Sequence, residues 1–404
     1  MKLSSHILLQ IKVYVRRSVL KKVSFIKKVA VCFLLFQVLS VSVLADGSFY
    51  TASSENQRPD LSAQSYIISD ANTGEILFSQ DENRRMPIAS TTKIMTCLVV
   101  LENSKLDDVV TVKAEDCGIE GSSVYLYEGE KLTVRDLLYA LMLESANDAA
   151  VCLANFVSGS NEEFCKLMND KAKSLGLLNT NFNNPHGLED PEHYSTAYDM
   201  SRIWISAMEN PTFREIVSTK TYRIDLSDDE SYRFLSNHNK LLKTYEFCIG
   251  GKTGYTKTAG RCLVTGAENN GVELVMVTLN APDDWSDHEK MFDYAFSLYS
   301  DVDVATSKSV SVSLSVVGGD KNVITLTNKD PLTLTVRDIT KLSSHVEAPH
   351  FIYAPVKALD KPLANVVYTY NDEEVARLPL YPENKVSQVK RDGFFKRIFK
   401  FIFN

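Results

Sequence analysis

None of the seven cysteines stands in a Cys-x-x-Cys pair, so the ligand spacing of a structural zinc site or a redox dithiol is missing. Neither a metal nor any other cofactor is expected. The chain has no Gly-x-Ser-x-Gly elbow, which argues against a serine nucleophile activated by histidine. It also lacks a long apolar run: Val29 to Leu44 gives 16 residues, whereas a bilayer-spanning helix needs roughly 20. Residues 1–45 contain no Asp or Glu but eight Lys/Arg, leaving 36 basic against 51 acidic residues in the remainder. A chain near −15 repels a phosphate backbone, so a nucleic-acid partner is not expected.

What is present fits an exported globular protein. With 404 residues, 44% hydrophobic and 24% charged, there is material for two or three domains. Lys21, Lys22, Lys27 and Lys28 precede the apolar run, and Val43-Leu44-Ala45 offers small residues for cleavage. Residues 1–45 therefore read as a signal peptide. Cys97, Cys117, Cys152, Cys165, Cys248 and Cys262 remain after its removal. An even number permits disulfides in an exported protein, but Cys97 and Cys152 fall inside apolar helical stretches, so buried free thiols are expected.

After a polar linker over 46–60, a domain is expected over 61–300. Tyr66 to Ser79 reads as a hairpin around Asn72-Thr73-Gly74. Pro87 is placed to open a helix, apolar on nearly every face from Ile88 to Leu101 and so buried centrally. Thr133 and Asp136 can cap a second helix running to Leu143, and a third follows from Asp148 to Val157. Arg261–Glu268 and Val272–Asn280 read as strands paired around Asn269-Asn270-Gly271. Strands at both ends with helices between predict an α+β fold, one antiparallel sheet packed by a helical cluster. Residues 305–382 alternate β-branched and polar residues, which predicts a small all-β domain. In the tail, 383–404, the aromatic and aliphatic residues from Phe394 to Phe403 cover one helical arc and Lys396, Arg397 and Lys400 the other. Such an amphipathic helix lies on a membrane surface.

Three short motifs carry the chemistry. Ser-x-x-Lys begins at Ser18, Ser24, Ser90 and Ser387, so the pattern alone decides nothing. Ser90 is favoured because three helical residues place Lys93 on its face, and burial makes a neutral lysine a base. An alcohol needs such a base before it attacks a carbonyl. Ser145-Ala146-Asn147 falls between helices, where a hydroxyl and an amide can project into a cleft. Lys252-Thr253-Gly254 precedes the second hairpin and offers a carboxylate site with close backbone approach. His186 reads as structural, since Lys93 already supplies a base.

Together these motifs resemble the penicillin-binding proteins and serine β-lactamases. The settings Ala89-Ser90-Thr91-Thr92-Lys93, Glu144-Ser145-Ala146-Asn147-Asp148, Asn184-Pro185-His186-Gly187-Leu188 and Gly251-Lys252-Thr253-Gly254-Tyr255 narrow the likeness to low-molecular-mass D-alanyl-D-alanine carboxypeptidases. The resemblance implies a β-lactamase/transpeptidase-like domain followed by the β domain. It implies Ser90 as nucleophile, Lys93 as base, and Ser145 with Lys252 relaying a proton to the leaving group. Asn147 would orient a peptidoglycan stem peptide, Thr253 would hold its carboxylate, and the N–H groups of Ser90 and Tyr255 would form the oxyanion hole. β-Lactams would acylate Ser90, at the extracytoplasmic face of a bacterial membrane. Where some relatives carry an arginine for the substrate carboxylate, this chain has His238.

Three other readings share parts of this pattern: a serine β-lactamase, a DD-endopeptidase and a non-catalytic wall-binding protein. The common β-lactamases need Glu-x-x-x-Asn after the second motif, and none of Glu162, Glu163, Glu189 and Glu192 has Asn four residues on.

Overall fold

The computed structural model describes residues 58–226 and 231–389. The signal segment, most of the linker and the amphipathic stretch Phe394–Phe403 lie outside them. The chain divides into two compact units, the first running to Val302 and including Leu334–Ile339. Nine strands of the first unit set its plan: β1 (Ser65–Asp70), β2 (Ile76–Gln80), β3 (Val109–Thr111), β4 (Lys131–Thr133), β5 (Thr221–Asp225), β6 (Tyr232–Ser236), β7 (Cys248–Thr256), β8 (Gly260–Asn269) and β9 (Val272–Leu279). Five of them form one antiparallel sheet in the order β2-β1-β9-β8-β7, so β7 is an edge strand.

Strand geometry sends successive side chains to opposite faces, and here both faces are covered. Ile67, Val275 and Val277 join one core, while Tyr66, Ile68, Leu274 and Met276 join a second with Met291 and Phe292. The larger core is organised by α1 (Lys93–Asn103), whose residues from Lys93 to Val100 are all buried. Around it lie α2 (Val134–Leu143), α3 (Asn147–Ser158), α4 (Asn161–Ser174), α5 (Ala197–Met208) and α6 (Pro211–Ser218). This is the α+β arrangement the sequence predicts.

Local chemistry explains the boundaries. Asn270 and Gly271 both have positive φ, 51° and 78°, the backbone of a tight two-residue hairpin turn. At α2, the Asp136 N–H donates to Thr133 Oγ1 at 3.1 Å and the Thr133 N–H donates to Asp136 Oδ2 at 3.2 Å, a reciprocal cap. One expectation needs correction: the central helix does not open at Pro87, because a 3₁₀ turn over Ala89–Thr92 comes first, entered through Ala89 at φ 47°. Lys252-Thr253-Gly254 precedes the β8–β9 hairpin as expected, on β7, which pairs with β8.

The second unit holds a six-stranded sheet made by Ser311–Val317, Val323–Asn328, Leu342–Glu347, Phe351–Tyr353, Ala364–Tyr370 and Glu373–Pro382. All six cysteines of the described residues are unpaired; Cys97, Cys152, Cys165 and Cys262 are buried, whereas Cys117 and Cys248 are only partly so. No helix among the described residues is long and apolar enough to cross a membrane.

Candidate active site

The 3₁₀ turn places Ser90. With three residues per turn, side chains at i and i+3 eclipse, so Lys93 sits directly over Ser90. Lys93 Nζ donates to Ser90 Oγ at 2.9 Å. Its other two contacts are Asn147 Oδ1 at 2.7 Å and the His186 carbonyl at 2.7 Å. The lysine is fully buried. Burial holds its pKa well below the usual lysine range, and the nearby Lys252 charge lowers it further against an opposing pull from Asp148.

Two elements bring the second motif to this point. Ser145 occupies the gap between α2 and α3 with φ 61°, a left-handed backbone that a serine adopts only where its surroundings enforce it. Its Oγ accepts from Lys252 Nζ at 3.0 Å. Asn147 begins α3, and its amide is held at both ends: Oδ1 by Lys93, and Nδ2 by donation to the Glu120 carbonyl at 2.6 Å. One of the two Nδ2 protons is left for another acceptor.

The third motif lies along the edge strand. Lys252 is buried and also donates to the Thr253 carbonyl at 3.0 Å; burial brings its pKa down to about 7. Gly254 lets β7 press on the 3₁₀ turn that carries Ser90, since a Cβ there would stand 2.9 Å from the Ser90 nitrogen. Tyr255 exposes its ring, 67% accessible. The structure thus joins Ser90, Lys93 and Asn147 through one set of hydrogen bonds and Ser145 with Lys252 through another. Thr253 and Gly254 follow Lys252 on the same strand. His238 Nε2 lies 3.2 Å from Glu144 Oε2.

Comparison with known proteins follows the same lines. Residues 52–283 match the D-alanyl-D-alanine carboxypeptidase family. The chain belongs to that family. It is 33% identical to the D-alanyl-D-alanine carboxypeptidase DacF of Bacillus subtilis over 83% of this chain and 88% of that one. Its fold is similar to the carboxypeptidase DacD of Francisella tularensis (25% identity, TM-score 0.59, covering 86% of this chain and 100% of that one). It is similar also to penicillin binding protein 5 of Haemophilus influenzae (28% identity, TM-score 0.59, covering 82% and 99%).

Two further parts of the site come from stretches whose motifs carried no role in the sequence. The first is the backbone of Asn184–Leu188. Beyond the His186 carbonyl on Lys93, the Pro185 carbonyl accepts from Thr96 Oγ1 at 2.6 Å. The His186 ring accepts the Leu188 N–H at 3.1 Å, and burial drives its pKa down to about 3, so it stays neutral. The second is Asp148, fully buried, which accepts from Ser123 Oγ at 2.6 Å and from the N–H groups of Val124 and Leu126 at 3.2 and 3.0 Å. It thereby ties down the loop whose Glu120 carbonyl holds Asn147. An acid directly after the Ser-x-Asn motif was the available signal.

Gly187 is the most constrained position of this shell. It has φ +90°, and a Cβ would lie 2.0 Å from the Ala89 carbonyl oxygen. Gly187→Ala is therefore expected to cost about 3 kcal/mol or more, because neither the backbone nor its neighbour can give. Chemical denaturation should show the loss, and penicillin labelling should slow with it as the Ser90 turn shifts. Wild-type stability in that variant would contradict the packing described.

Proposed function

We propose that this protein removes the terminal D-alanine from peptidoglycan stem peptides through an acyl-enzyme on Ser90. Neutral Lys93 takes the Ser90 hydroxyl proton as Oγ attacks the carbonyl between the two D-alanines. The N–H groups of Ser90 and Tyr255 receive the developing oxyanion, an effect usually worth about 3–4 kcal/mol per donor. As the C–N bond breaks, Lys252 delivers a proton through Ser145 to the departing amine; Lys93 then gives the Ser90 proton up to solvent and Lys252 regains one, so that Lys93 is neutral again and Lys252 charged before the ester is hydrolysed. Water then hydrolyses the ester, with Lys93 again as base. The free Asn147 N–H orients the substrate peptide group, and Thr253 helps to hold the terminal carboxylate. β-Lactams acylate the same serine. The observation that carries this reading is the buried Lys93 amine 2.9 Å from Ser90 Oγ.

The test is mass spectrometry of a stem pentapeptide after incubation, in which one alanine should be lost and no more. Cleavage of a cross-linked dimer peptide instead would indicate an endopeptidase, and rapid turnover of penicillin a β-lactamase. An unchanged pentapeptide and an unlabelled serine would overturn the proposal.

The reading extends to placement in the cell. Residues 1–45 serve as signal peptide and 46–60 as linker, ahead of a peptidase domain over 61–300 and a β domain over 305–382. Within the 383–404 tail, residues 383–389 are hydrogen-bonded to the β domain, and the apolar arc of 394–403 is the part that lies on the membrane, with Lys396, Arg397 and Lys400 toward anionic headgroups. Deleting Gly393–Asn404 is expected to move the protein from the membrane to the soluble fraction on cell fractionation. Retention on the membrane would rule out the tail as anchor.

A further inference from the structure

The peptide group joining Ala89 to Ser90 has two ends with different duties. Its N–H is assigned above to the oxyanion. Its carbonyl belongs to Ala89, whose φ of 47° is a backbone that alanine rarely adopts. A trans peptide is planar, so its carbonyl and N–H point in opposite directions, and whatever fixes one aims the other. The Ala89 carbonyl accepts from Thr92 Oγ1 at 2.8 Å. A threonine hydroxyl has one proton, and that bond uses it. Thr92 Oγ1 can then only accept, and the group facing it is His193 Nε2 at 2.7 Å.

The other ring nitrogen settles the tautomer. His193 Nδ1 accepts the Asn183 N–H at 3.1 Å, so the proton of the neutral ring sits on Nε2 and is donated to Thr92. The ring is buried, with Phe182 edge-on to it at 5.7 Å between ring centroids. Burial drives its pKa down to about 4 against the opposing pull of Asp190, which keeps it neutral near pH 7. Its backbone is clamped as well. The His193 N–H donates to the Asp190 carbonyl at 3.0 Å, while Tyr194 and Ser195 form bridges to Asn181 and Met86. One directed chain therefore runs from the Asn183 N–H through His193 and Thr92 to the Ala89 carbonyl. Asn183 also directly precedes the segment whose His186 carbonyl holds Lys93.

We propose that His193 is a positioning residue for acyl transfer: through Thr92 it locks the Ala89–Ser90 peptide plane and so aims the Ser90 N–H at the developing oxyanion. The inference rests on the reading of Ser90 given above. A residue that only filled space there would need the shape of the ring. This role needs an acceptor and a donor spaced as Nδ1 and Nε2 are. A carboxamide offers that pair, and a phenyl ring offers neither.

The test is single-turnover acylation of variants by penicillin, which separates the binding constant from the acylation rate. His193→Phe should slow acylation about 30-fold, part of the roughly 10²–10³-fold that outright loss of one oxyanion donor costs. Its binding constant should stay within about twofold of wild type, because the lost aim matters only in the transition state. His193→Gln, whose amide accepts from Asn183 and donates to Thr92, should recover to within about threefold of wild type. Thr92→Val should be at least as slow as His193→Phe. The two together should be no slower than Thr92→Val alone, because both break one chain. Thermal melting checks folding; should His193→Phe not fold, Thr92→Val against Thr92→Ser makes the same comparison, with the serine keeping the rate. A folded His193→Gln as slow as the phenylalanine variant, additive losses, or a change confined to the binding constant would overturn the proposal. Unchanged rates in folded variants sink this inference alone; a wild type that is never acylated sinks the catalytic reading and takes it along.

Discussion

Ser90→Ala is expected to lose about 10⁵-fold or more in kcat for D-alanine release, together with all covalent labelling by penicillin. The expectation follows from how few hydrogen bonds connect the site. Ser90 Oγ is bonded to Lys93 Nζ, and the lysine's remaining bonds go to Asn147 and to the His186 carbonyl. Among the described residues no second hydroxyl is bonded to Lys93. Ser145, the nearest candidate in the sequence motifs, is bonded to Lys252 instead. Lys93→Arg should be nearly as damaging, by about 10³-fold or more, although it keeps a cation. A guanidinium stays protonated and cannot accept the serine proton. Because the two groups act as a unit, the double variant should be little worse than Ser90→Ala alone. Labelling in gels and single-turnover kinetics would check both claims. A Ser90→Ala protein that still forms a stable penicilloyl adduct would remove the assigned nucleophile.

How far the sequence revealed this site depends on which atoms do the work. Side-chain periodicity located the buried α1, the capped α2 and the Asn-Gly hairpin, because each rests on local chemistry. The choice of Ser90 among four Ser-x-x-Lys patterns also came from its apolar surroundings. What pattern could not show is that Ser90 and Lys93 sit across the junction of a 3₁₀ turn and a helix. That junction is forced from outside, by Gly254 and Gly187 pressing on Ala89 and Ser90 from distant parts of the chain. The carbonyls of Pro185 and His186 were equally hidden, since any residue supplies a carbonyl and only the fold aims it. Lys252 was legible as a charge but not as a buried amine on an edge strand.

That burial has a measurable consequence. Lys252→Met is expected to raise the melting temperature at pH 7 by about 3 °C while lowering kcat by about 10²–10³-fold. Burial alone takes the lysine from 10.5 to about 7. At about 1.4 kcal/mol per pH unit, the native state gives up on the order of 4–5 kcal/mol at pH 7 and below to keep that amine. Methionine fills similar volume without the cost, but leaves Ser145 Oγ and the Thr253 carbonyl without their donor, which returns about 1.5–2 kcal/mol for each. A net gain of about 1 kcal/mol remains. Its pH dependence identifies the cause. Between pH 7 and the unfolded value near 10.5, the unfolded wild-type chain binds a proton that the folded one does not. Wild-type stability therefore rises through that window relative to the methionine variant, so the variant's advantage of about 1 kcal/mol should vanish near pH ~8 and turn into a deficit by pH ~10. Melting curves of both proteins from pH 6 to pH 10 would read this directly. An advantage that stayed constant across the series would mean that packing, rather than the buried charge, sets the difference, and a variant with full activity would remove Lys252 from the proton relay.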